Sequence, residues 1–225
     1  MLRSQIAATA FSLFLSVVCA WGQGAYKVTS TGAPTAAPAS MQGLVEAQGT
    51  QFGSAQGAPL CEIWWRKGIP EQANSGGSSD VLYGGLSMGE FVGLIDFPAA
   101  AKDYRGQAIK PGYYTLRYAL IPQDGNHMGV SSYRDFLLLV PVADDSSPSS
   151  NLSFNAVVKE SRLATGTGHP AVLMLDPPAQ GATFPSAAQD DQGNWALDVK
   201  LDVKAAPGQD QQLPFAVVLV GQYQG

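Results

Sequence analysis

The chain has 225 residues, of which 45% are hydrophobic and only 14% charged, well below the roughly 25% charged residues of an ordinary soluble domain. Lys and Arg number 13 against 18 Asp and Glu; that leaves no basic surplus to follow a phosphate backbone and excludes nucleic acid as an expected partner. Two Cys cannot make a disulfide-dense scaffold, and Gly and Pro together fall short of a low-complexity composition.

Arg3 precedes an apolar run at residues 6–18, with small residues following at Ala20 and Gly22. This is the layout of a secretory signal peptide over residues 1–22, and the run is too short for the roughly 20 apolar residues of a membrane span. Cleavage after Ala20 or after Gly22 fits. A lipoprotein would acylate Cys19, but Val17 and Val18 stand where small residues are wanted. The expected location is therefore periplasmic or extracellular, with no membrane span once the signal is removed. Only Cys61 then remains, and a lone Cys forms no internal disulfide.

Residues 23–40, rich in Ala, Pro, Ser, Thr and Gly, read as a flexible leader. Ser40 can cap a short helix carrying Leu44, Val45 and Ala47, stopped by Gly49. In 61–66, Cys61, Ile63 and Trp65 alternate with Glu62, Trp64 and Arg66, the period of a half-buried strand. Residues 71–80 are a polar loop, and 90–97 form the next strand. Lys110-Pro111-Gly112-Tyr113 suits a type II turn, and Tyr114, Leu116, Tyr118 and Leu120 alternate behind it. Residues 136–140 read as a strand covered on both faces, 143–150 as a polar break, and 151–164 as a helix ended by Gly166 and Gly168. Strands follow at 171–175, 194–203 and 214–223. The expected fold is all-β with one or two short helices. It is a single antiparallel β-sandwich or barrel-like domain of about 7–9 strands over residues 41–225, with the helix covering an edge or end.

Chemistry-bearing residues are few. His127 lies in a loop with Asp124, so a carboxylate and an imidazole fall within four positions on a rigid sheet, where binding residues concentrate. His169 precedes a buried strand. If the two imidazoles met, with Asp124 or Glu62 beside them, they would suit a divalent metal. The order of Cys61, ahead of both His, does not fit a blue-copper centre, and its place beside Ile63 and Trp65 makes it packing. Ser131, Ser132 and Asp135 follow His127 without a nucleophile motif around them, and no Walker loop or H-E-x-x-H is present. The pairs Asp144-Asp145 and Asp190-Asp191 read as solvated loops. Trp64, with Tyr113 and Tyr83, offers a stacking platform for a sugar or peptide if the outer face is free, and packing if the leader or a helix covers it.

The segments IKPGYYTLRYALIPQDGNHMG (109–129), SYRDFLLL (132–139) and TGTGHPAVL (165–173) resemble a group of exported bacterial β-sandwich proteins of unknown function. The resemblance implies export and an all-β core, and carries no established activity or catalytic residue with it. The expectation is a non-catalytic binding or accessory envelope module without a cofactor, its partner a small molecule, glycan or envelope protein. Its ligand-binding candidates are Asp124, His127 and Trp64. The alternative is a metal-binding protein or metal-dependent enzyme centred on His127 and His169.

Overall fold

Alternating apolar residues order most of this chain into strands. The computed structural model describes residues 25–72, 78–125, 127, 129–206 and 209–221. The expected signal peptide at 1–22 and residues 73–77 of the expected polar loop lie outside them. Strand β1 (Tyr26–Thr31) and the short helix α1 (Ala39–Gln42) lead to β2 (Gly49–Ser54), β3 (Pro59–Trp65) and β4 (Ile69–Pro70). Then come β5 (Phe91–Phe97), the small hairpin β6 (Ala101–Lys102) and β7 (Ala108–Ile109), β8 (Gly112–Leu120) and β9 (Asp135–Pro141). Helix α2 (Phe154–Thr165) precedes β10 (Val172–Asp176), β11 (Ser186–Gln189), β12 (Trp195–Ala206) and β13 (Gln209–Val220). No helix among these residues is long and apolar enough to cross a membrane.

The fold is all-β in class, and its strands run in one sheet in the order β1-β2-β3-β5-β8-β9-β10-β13-β12-β11, with β4 beside β12. The expected 7–9 strands fall short of this path. Its turning point is β10, which pairs Val172, Leu173 and Met174 with β9 and Leu175 and Asp176 with β13. At the far edges, the Tyr26 ring stacks on Phe52 at 5.1 Å and tilts toward Trp195 at 5.5 Å, so β1 approaches the start of β12 and the sheet curls on itself. Its inner face encloses a core in which Phe52, Ile63, Leu116, Leu137, Leu201 and Phe215 are all fully buried.

The expected leader at 23–40 is corrected here: residues 26–31 are a strand antiparallel to β2. Tyr26 and Val28, its only large apolar residues, pack against the core while Lys27 and Thr29 face outward. The helix expected after Ser40 shrinks to α1. Beyond Gly43 the backbone instead pairs with the end of β3: the Glu46 N–H donates to Trp65 O at 2.8 Å and the Lys67 N–H to Leu44 O at 2.9 Å.

Two covers lie on the outer face of the sheet. Helix α2, capped at Ser153 by a bond from the Ala156 N–H, buries Val157 against Phe136, Leu138 and Met174. The α1 segment buries Ala37, Met41 and Val45 against Trp64, Phe91 and Leu94. Between the two covers, the expected solvated pair Asp144-Asp145 is corrected, because Asp145 is fully buried against Arg117. All five guanidinium donors are used: Nε and Nη2 on Asp145 at 2.9 and 2.6 Å, and the rest on the carbonyls of Gly89, Ser147 and Ser150. Such saturation is what allows a charged pair to stay buried.

Candidate functional site

The hairpin of β8 and β9 carries the loop that dominates the site. Leu120 pairs with Asp135 at the end of the ladder, and the loop base is clamped where the Ile121 N–H donates to Arg134 O at 2.8 Å and Arg134 Nε donates to Ile121 O at 2.9 Å. Asp135 holds the frame beneath. Fully buried, its carboxylate accepts from the Leu82 and Tyr83 N–H groups at 2.8 and 2.9 Å and from the Tyr118 hydroxyl at 2.7 Å.

A second support is the turn between β6 and β7. The buried Asp103 carboxylate accepts the Arg105 and Gln107 N–H groups, Gln107 Nε2 and the Val172 N–H at 2.8–3.2 Å. Burial pushes this carboxyl up while these bonds pull it down, and burial wins. Gln107 extends the network: its Nε2 donates to Pro170 O at 3.0 Å, and its Oε1 accepts from the Thr167 hydroxyl at 2.7 Å. Thr167 in turn accepts from the His169 N–H at 3.0 Å. Helix α2 feeds this turn through Gly166, left-handed at φ 67° with its N–H on Arg162 O. The reach of His169 is thus set by a threonine and glutamine network.

Three adjoining cavities meet on the 121–133 loop. The largest, about 640 Å³, lies between the loop and the β10 and β11–β12 ends, with Tyr104, Ser131, Ser132, Tyr133, Asp176 and Asn194 in its wall. That volume falls in the range of small-molecule sites. Burial pushes the Asp176 carboxyl up, and the Asp190 charge adds to this. Asp190 itself is committed to a turn, accepting from the Gln192 N–H, the Asn194 N–H and Asn194 Nδ2. A second cavity of about 260 Å³ is floored by Phe136, Val172 and Met174, with Phe154 and Val158 of α2 as one wall. Its rim carries Arg105, Asp124, His127, Arg162 and His169. The third, about 330 Å³, shares His127 with the second and Ser131 and Ser132 with the first.

The structure therefore brings His127, Asp124 and His169 to one cavity. His127 Nδ1 lies 3.1 Å from Asp124 Oδ1, both side chains partly exposed. Glu62 is elsewhere, accepting from Thr31 and Gln51 near β1. No group of three or more His, Cys, Asp or Glu side chains placed to hold a metal occurs among the described residues.

Trp64 is corrected as a platform. It is 1% exposed, stacks on Tyr113 at 5.9 Å, and donates Nε1–H to Gly32 O at 2.6 Å beneath the α1 segment. Tyr83 is likewise enclosed, its hydroxyl on Asp176 O at 2.7 Å and its ring 4.6 Å from Phe215. Ser131 Oγ accepts from the Tyr133 N–H, and the Asp135 carboxylate is engaged by Leu82, Tyr83 and Tyr118, while the ring of His127 lies beside Asp124. The G-x-S-x-G spelled by residues 85–89 leads into strand β5 and not into a helix. Cys61 is buried, and desolvation together with the charges of Glu62 and Asp96 pushes its thiol up, away from the reactive thiolate.

Sequence reasoning missed Arg105, Arg162 and Asp176. The signal for Arg162 was present in the helix: Phe154, Val158 and Arg162 recur at four-residue spacing and share one face. Nothing local to Arg105 or Asp176 marks them. No protein-family model, curated protein or solved structure matches the chain.

Proposed function

We propose that the protein is an exported, non-catalytic binding module whose ligand occupies the cleft around the 121–133 loop. The observation that carries this reading is that one clamped loop walls three adjoining cavities, the largest of about 640 Å³. Support for a non-catalytic role comes from Asp135, whose carboxylate is committed to the Leu82, Tyr83 and Tyr118 donors of the frame. The reading also takes the sheet halves on either side of β10 as two sandwich layers that hold the loop rigid. Export rests on the amino-terminal sequence, and places the module in the periplasm or outside the cell.

A thermal-shift screen of small molecules and oligosaccharides on the purified chain tests this. Compounds that raise the melting temperature should lose their effect in Val130→Trp, which fills the cleft from the loop side. Turnover of any screened compound that disappears in His127→Ala contradicts the reading.

A second reading, a divalent-metal site at His127 and His169, draws on their lining one cavity with Asp124 and has against it that these three are not grouped to hold an ion. Elemental analysis of the purified chain decides it: stoichiometric metal lost in the His127→Ala/His169→Ala variant supports the site, and no stoichiometric metal eliminates it.

A further inference from the structure

The 260 Å³ cavity is chemically two-sided. Its floor and inner wall are hydrocarbon, made by Phe136 and Met174 of the sheet and Phe154 and Val158 of α2. At its mouth stand Arg105, on the Asp103–Gln107 turn, and Arg162, in the last turn of α2. Neither guanidinium makes an ion pair or a side-chain hydrogen bond among the described residues. In a chain where acids outnumber bases by 18 to 13, two unpaired cations over an apolar pocket are a local reversal of sign. Asp124, the one carboxylate on this rim, lies beside His127; the acids Asp176, Asp190 and Asp191 face the neighbouring cavity.

The geometry points to a site for an amphiphile with one anionic head, carboxylate or phosphate, and a short hydrocarbon tail. Guanidinium forks match both heads, pairing with two oxygens at once. The tail gains by leaving water for the Phe136, Phe154 and Met174 surface. At roughly 30 Å³ for each water-sized group, 260 Å³ holds about nine such groups, which suits a chain near eight carbons. Gln107 and Thr167 have a positioning role, since they fix the two turns that carry Arg105 and His169.

The inference deepens the binding-module reading and rests on it. Calorimetric titration of the purified chain with octanoate, octyl phosphate, acetate, inorganic phosphate and 1-octanol tests it. Octanoate or octyl phosphate should bind at least tenfold more tightly than the tailless anions and than octanol, and the tighter of the two identifies the head. Arg105→Gln/Arg162→Gln should lose roughly tenfold affinity per guanidinium, each factor corresponding to about 1.4 kcal/mol, with octanol unaffected. Both arginines are exposed, so this variant keeps its fold; Val158→Trp, which fills the tail space, should abolish binding independently. Equal binding of octanoate and octanol, or no change in the double arginine variant, overturns the inference. If neither amphiphile binds while other screened compounds still act through the loop, the ligand class falls and the binding-module reading stands. No binding of any compound overturns both.

Discussion

Trp64 shows how one side chain can carry a functional pattern and serve packing. Its indole lies against Gly49, where a Cβ would collide with the ring, and its N–H is spent on the Gly32 carbonyl. Trp64→Phe keeps most of the apolar contact but leaves that carbonyl short of its donor, and should lower stability by about 1–3 kcal/mol. Urea unfolding would show this as a reduced midpoint with an unchanged slope. Asp176 gives a pH signature instead. Its native carboxyl is raised, by burial first and Asp190 second, so the folded state holds this proton more tightly than the unfolded chain does. Below the ordinary aspartate value of about 3.9 the group costs nothing; as pH rises through the raised native value, the folded state loses stability. Asp176→Asn cannot ionise, so its melting temperature relative to the parent should be higher at pH 7 than at pH 3. An equal difference at both pH values would show that the carboxylate is not strained by its surroundings.

Among the elements, the stretch from Asp145 to Ser153 is held less by its own sequence than by Arg117, which reaches from β8 to bind Asp145 and three carbonyls. Removing one partner of such a buried pair leaves the other charge without compensation, typically a loss of about 3–5 kcal/mol. Asp145→Leu should show that loss in denaturant unfolding and expose the 143–153 stretch to limited proteolysis. Arg117→Met/Asp145→Leu should recover much of the stability, because an apolar pair removes the stranded charge. If the double variant is as unstable as the single one, the carbonyl bonds to Arg117, and not the ion pair, hold this element. The 103–107 and 165–170 turns follow the same logic, the Asp103 carboxylate holding the first and Gln107 linking it to the second through Pro170 and Thr167.

For the whole molecule, the long strands were legible from alternation. Trp195, Leu197, Val199 and Leu201 announce β12, whose Lys200 and Asp202 are exposed, and Tyr114 through Leu120 announce β8, although the opposite face of β8, with Thr115, Arg117 and Ala119, is covered as well. The 136–140 run and the helix near 151–164 were legible from length and spacing. What was not legible is pairing: β1 has only Tyr26 and Val28 to mark it, β11 reads as Ser-Ala-Ala-Gln, and the turn of the sheet at β10 depends on two partners distant in sequence. The site divides in the same way. His127, Asp124 and His169 stood out as loop residues, but that they share a cavity follows from β8, β9 and β10 being neighbours, which no local spacing encodes. Arg105 and Asp176 enter only through that adjacency. Trp64 was misplaced because the small residues ahead of it, Ala37 among them, look like a linker and act as a cover.

The central claim is that the 121–133 loop frames a ligand site on a rigid all-β support. Amide chemical shifts of the purified chain followed during titration with octanoate test it most directly. Shifts confined to residues 104–105, 121–133, 154–162 and 169–174, saturating together with one affinity, are expected. Shifts centred on the α1 segment around Trp64, or spread without saturation over the whole sheet, would contradict it.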